Sequence, residues 1–145
     1  MRVRELSQTA CRLVLSRATV ARIACSREGQ PYIVPVGVVF DGTDLYSFSA
    51  LGQKIEWMRE NPLVCVEVDE IEDTAHWTTV IAFGRFEELT RTAAHRRARA
   101  HAEEVLGRRG NFWEPAAART TTREPATPVF FRVVIDTISG RQAGK

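Results

Sequence analysis

The fold turns on residues 22–54, RIACSREGQPYIVPVGVVFDGTDLYSFSALGQK. The β-branched, roughly alternating runs 18–26 and 31–40 flank Arg27-Glu28-Gly29-Gln30, so they read as a hairpin. Asp41-Gly42-Thr43-Asp44 is a second tight turn, because Asp-Gly suits the positive-φ hairpin conformations. Residues 45–49 are then the third strand of a meander. Beyond it, Gly52 and Lys54 open what reads as a helix over about 52–60. Pro62 closes that helix, since the residue before a proline avoids the helical region.

Upstream, residues 6–16 predict a short amphipathic helix. Ser7 is its N-cap, and Ala10, Cys11, Val14 and Leu15 form its apolar stripe. Downstream, residues 63–69 and 77–89 read as strands, with Gly84 a bulge or bend in the second. Residues 92–107 are Ala-rich and helical, 108–127 are irregular, and 129–139 is a last strand. Strands in runs joined by tight turns, without strand–helix alternation, predict a mainly β domain. The expected architecture is a six-stranded antiparallel sheet closed into a small barrel, with flanking helices, in one domain over 1–145.

Composition excludes several classes. At 145 residues the chain buries enough surface to fold without disulfides or metal. The cysteines at 11, 25 and 65 are odd in number and widely spaced, which is neither a disulfide framework nor a zinc site. The histidines at 76, 95 and 101 lack metal spacing, so no metal is expected. No apolar run reaches the ~18 residues of a membrane span and no signal peptide is evident, so the expectation is a cytoplasmic protein with no membrane association. A net charge of +2 does not suggest a nucleic-acid partner, and the cluster Arg96-Arg97-Ala98-Arg99 reads as a solvated helix face. Dinucleotide, P-loop and α/β-hydrolase fingerprints are absent. Glu67 and Asp69 share a strand face, as either a polar face or an acid–base pair.

Lys54 is conspicuous because 18 of the 20 Lys and Arg residues are Arg and the other Lys is residue 145. A helix start presents free backbone N–H groups and the positive end of the dipole. With Ser49 to cap or donate and Gly52 to allow close approach, Ser49, Gly52 and Lys54 form either an anion site or a capped surface helix.

Four motifs occur in order: Pro-Tyr-Ile-Val-Pro-Val (31–36), Gly-x-Lys (52–54), Arg-x-Asn-Pro-x-Val-Cys-x-Glu-Val-Asp (59–69) and Trp-x-Thr-Val-x-x-x-Gly (77–84). With these, the chain resembles the pyridoxamine 5'-phosphate oxidase-like split barrels, and within them the nitroimidazole-resistance-type flavoproteins. The resemblance spans about 11–89 and returns in VVIDTISGR (133–141). It implies a homodimer of FMN-binding split β-barrels acting on a small-molecule substrate, with the flavin at the dimer interface. Ser49 and Lys54 would hold the phosphate, and Val34, Pro35 and Val36 would line the ring. Ser47, Phe48 and Ala50 would flank the ribityl chain or ring, and Trp77 and Thr79 would close the pocket. For Val34, Val36 and Trp77 plain core packing is an equal reading. Phe48 stands where the subgroup often has histidine, so no catalytic residue is assigned and nitroimidazole reduction is not carried over. A deazaflavin coenzyme is the alternative cofactor, with Arg96, Arg97 and Arg99 facing its anionic tail. Asn111, Phe112 and Trp113 are candidates to reach a partner's pocket. A non-catalytic flavin carrier is the alternative function.

Overall fold

A computed structural model describes residues 2–108 and 128–144. In chain order the described elements are β1 (Val3–Glu5), α1 (Gln8–Arg17), β2 (Val20–Arg27), β3 (Gln30–Gly37), β4 (Val39–Phe40) and β5 (Leu45–Ser49). They continue with α2 (Gln53–Glu60), β6 (Leu63–Asp73), β7 (His76–Glu88), a 3₁₀ turn (Ala93–His95), α3 (Arg96–Gly107) and β8 (Val129–Ala143). All described strands join one antiparallel sheet in the order β3-β2-β6-β7-β8-β5-β4, with β1 added to β8. The expectation of an antiparallel split barrel with flanking helices is met.

The turns follow from local chemistry. The β2–β3 hairpin closes through Glu28 (φ 51°) and Gly29 (φ 82°), so only one residue with a Cβ takes the left-handed conformation. In the β4–β5 turn the Asp41 carboxylate accepts from the backbone N–H groups of Thr43 (2.9 Å) and Asp44 (2.8 Å). His101 Nε2 lies 2.8 Å from the other Asp41 carboxylate oxygen and ties α3 to this turn.

Among the described residues the strand count is eight, two above expectation. β1 is three residues long and exists through its pairing with the end of β8. The expected strand 31–40 is interrupted at Val38, whose N–H donates to the Thr19 carbonyl at 3.1 Å. On either side of that break the chain changes partner: β3 pairs with β2, and β4 pairs with β5. This is the split in the barrel. β3 and β5 meet there through a side chain, because the Ser47 hydroxyl donates to the Gly37 carbonyl at 2.6 Å. The sheet's outer strands are short or interrupted by imino acids: β3 carries Pro31 and Pro35, and β4 is two residues long.

Apolar burial sits in two layers. Inside the curled sheet, Cys11, Val14 and Leu15 of α1 and Ile55 and Met58 of α2 pack on residues such as Ile23, Val66, Val80 and Val133. On the other face, α3 covers Val39 and Tyr46 with Ala102, Val105 and Leu106. Gly84 marks the β7–β8 register shift, as expected of a bulge.

Candidate functional site

Most of the sequence-predicted site residues lie on β3, on β5 and at the start of α2, which follows β5 directly in the chain. β5 alternates, so Leu45 faces the inner core, while Tyr46 and Phe48 pack in the layer under α3. Ser47 and Ser49 lie on the opposite side from Phe48 by the same alternation, buried at 2% and 0% exposure. Val36 is buried one residue before the Gly37 carbonyl that Ser47 grips, and Val34 packs against the edge of the core. α2 is held over this region by Trp57, whose ring lies 5.3 Å from Tyr32 of β3 at 51°.

Lys54 occupies the first turn of α2 and is buried, at 7% exposure. Lysine is among the residues least often buried, so the fold rather than hydration sets this position. Ser47, Ser49 and Lys54 are three of the four buried polar or charged side chains among the described residues; Thr78 is the fourth. The start of α2 has Gly52 as its N-cap and no side-chain capping bond. Of the two roles open to Ser49, capping is not taken: its hydroxyl donates, to the Ala50 carbonyl at 3.0 Å. Lys54 together with an uncapped helix start is a donor set suited to a phosphate. Ser49 would join it only by exchanging its bond to Ala50.

Three predicted residues stand apart from this cluster. The Phe48 ring is stacked on Phe130 at 5.6 Å, and the Arg99 guanidinium lies 4.5 Å from the Phe130 centroid. Arg99 also donates to the Leu89 carbonyl at 2.9 Å, so it is a packing residue of α3, whereas Arg96 and Arg97 are exposed. Trp77 and Thr79 lie at the other end of β7. Ser49 pairs with Val129, and Phe131 two residues on pairs with Glu88. The nine residues from Glu88 back to Thr79 span about 30 Å at the usual strand rise. Asn111, Phe112 and Trp113 lie outside the described residues.

Around Thr79 the structure shows more than the residue pattern implied. The Thr79 hydroxyl donates to Glu67 at 2.9 Å. Burial pushes the Glu67 carboxyl up; the Thr79 hydrogen bond opposes this, and Asp69 alongside adds to it. His76 pairs with Asp73 at 2.9 Å and lines, with Trp77 and Glu70, a cleft of about 650 Å³ at the β6–β7 turn.

The sequence model described as pyridoxamine 5'-phosphate oxidase matches residues 7–142, and the chain belongs to that family. It is 43% identical to a crystal structure described as a FAD-binding protein from Mesorhizobium loti, covering 99% of this chain and 100% of that one with a TM-score of 0.82. An uncharacterized protein of Rhizobium meliloti (strain 1021) is 38% identical over 99% of this chain and 97% of its own length. A candidate 5-nitroimidazole antibiotic resistance protein from Bacteroides thetaiotaomicron shares the fold at 17% identity, with a TM-score of 0.69 over 100% of this chain and 93% of that one.

Proposed function

We propose that the chain is a flavoprotein that binds FMN between two copies of itself and acts as an oxidoreductase on a small molecule. The observation that carries the reading is Lys54, buried in the first turn of α2, whose N-terminus has no side-chain cap, with Ser47 and Ser49 buried on the preceding strand. The likeness to a FAD-binding protein at 43% identity supports a flavin. The same phosphate site serves FMN or the ribityl phosphate of FAD. A bound flavin would supply the hydride or electron chemistry, and the protein the binding and orientation. The free thiols Cys11, Cys25 and Cys65 suit a reducing cytoplasmic setting.

Position along the sheet supports the two-copy reading. About 30 Å of strand separates the Ser49 end of the sheet from Thr79 along β7, which favours a second copy's Thr79 at a flavin held by Lys54. A second copy could bring its own Trp77 and Thr79 to the first copy's Lys54. The surface for this is the outer face of the sheet. Ile33, Ala24, Cys65 and Phe83 lie in cross-strand register there, with Ile33 and Phe83 61% and 55% exposed. Leu63, 64% exposed, and Pro35 extend the same face.

The test starts from the purified protein. A yellow protein, or one that takes up FMN or FAD with a visible spectral change, supports the reading; no uptake of either sinks it. Titration with a deazaflavin decides the alternative cofactor, for which Arg96 and Arg97 are the exposed ones of the three candidate arginines. The position of Phe48, under α3 and without an imidazole, favours a non-catalytic carrier as the second reading; turnover with a reduced nicotinamide donor excludes it. Phe83→Glu places a charge in the apolar row and is expected to give a folded monomer that binds flavin at least about tenfold more weakly. A wild-type chain that is monomeric yet binds flavin fully would remove the two-copy part of the proposal.

A further inference from the structure

We infer that the cavity between the N-terminal segment and the β7–β8 face binds a small organic carboxylate anchored by Arg141. The cavity has a volume of about 250 Å³ and its lining includes Glu5, Leu6, Gln8, Thr79, Ser139 and Arg141. The inference deepens the reading above by naming a substrate class, and it rests on that reading for the neighbouring flavin, since Thr79 belongs to both groups.

Register places the polar groups. Thr79 pairs with Arg141 and Ile81 with Ser139, so all four side chains stand on one face of the sheet. Neighbouring arginines are engaged: Arg17 with Glu70 at 3.0 Å, Arg4 with the Gln142 side chain, and Arg85 with Asp136 at 3.9 Å. Arg141 forms no ion pair among the described residues, although Glu5 of β1 is its direct cross-strand neighbour. A guanidinium offers a planar fork that matches a carboxylate. The Ser139 hydroxyl can donate alongside it. Thr79 spends its proton on Glu67 and keeps acceptor capacity for a ligand's own N–H or O–H.

The rest of the lining sets the ligand's body. Leu6 and Ile81 are apolar walls, and the Gln8 amide is fixed by donating to the Ile138 carbonyl at 2.7 Å. The volume lies below the roughly 300–1,000 Å³ of sites for drug-sized ligands, so a compact, single-ring or branched acid fits and a flavin does not. Glu5, Glu67 and Asp69 are the carboxylates around the Arg141–Thr79 pair, so the site should accept one negative charge and reject several.

The probe is benzoate, titrated by calorimetry into the protein as purified and again after flavin addition. Benzoate binding is expected, with benzamide and inorganic phosphate each at least about tenfold weaker. Arg141→Gln should lower benzoate affinity by about 10- to 100-fold, the range of a charge-assisted pair. Glu5→Gln should tighten it, and Arg27→Gln, on the distant β2–β3 turn, should leave it unchanged. Arg141 is exposed, so its variant should keep the wild-type circular dichroism spectrum. Equal benzoate affinity in Arg141→Gln, or benzamide as tight as benzoate, overturns the inference. A protein that takes up flavin but ignores benzoate loses this cavity alone; one that binds benzoate without flavin loses the flavin reading alone.

Discussion

Lys54→Met is expected to weaken FMN binding by about 100-fold while leaving riboflavin binding within about twofold. The two ligands differ only in the phosphate, so the pair isolates the role of the ammonium. Methionine keeps most of the buried stem and the helix propensity of the first turn of α2, which limits structural loss. The buried position of Lys54 makes the effect large: a charge-assisted bond formed away from water is stronger than one at the surface. An equal loss for FMN and riboflavin would mean that the variant has disturbed the pocket's shape. FMN affinity within threefold of wild type would end the phosphate assignment. Fluorescence quenching of either flavin provides the readout.

Gly84→Ala is expected to be the most damaging small substitution in the sheet, costing about 3 kcal/mol or more in urea unfolding. An added Cβ would run into the backbone carbonyl of Val134 and come within 2.9 Å of Val133 Cγ1. Backbone cannot swing aside as a flexible side chain can, so β7 and β8 would have to part where their register shifts. These two strands also carry Thr79 and Arg141. The variant should therefore lose stability and site geometry together, whereas Gly107→Ala, which meets open space, should cost nothing measurable.

Local signals explain what could be read before the structure. Ser7 caps α1 as expected, its hydroxyl accepting from the Ala10 N–H at 3.1 Å, because a cap acts within one turn. The β2–β3 hairpin and the end of α2 were legible for the same reason, through Gly29 and Pro62. What stayed hidden depends on distant partners. β1 carries no pattern of its own and exists because β8 lies beside it. Valine at position 38 is no strand breaker; the split there comes from Thr19 and from the exchange of partner strands. In the site, the helix start and the preceding strand point to Ser49, Gly52 and Lys54, whereas the burial of Ser47 beside the Gly37 carbonyl has no local signal. Alternation along β5 sends Phe48 to the opposite face from the serines, a point that motif matching alone passes over. The Arg141 cavity had no linear signature, since its walls come from residues 5–8, 79–81 and 139–141.

The imino acids of β3 and the brevity of β4 bear on how the protein behaves when concentrated. An open sheet margin can recruit another chain by hydrogen bonding, and repetition of that step builds fibres. Proline has no N–H to offer an incoming strand, and a two-residue margin holds a newcomer by very few bonds. Propagation from these margins is thus blocked by main-chain chemistry. In the proposed dimer, association would use side chains on the broad sheet face, where a two-fold contact satisfies both molecules and stops. The sheet margins therefore disfavour polymerising, whatever the chain does through its face.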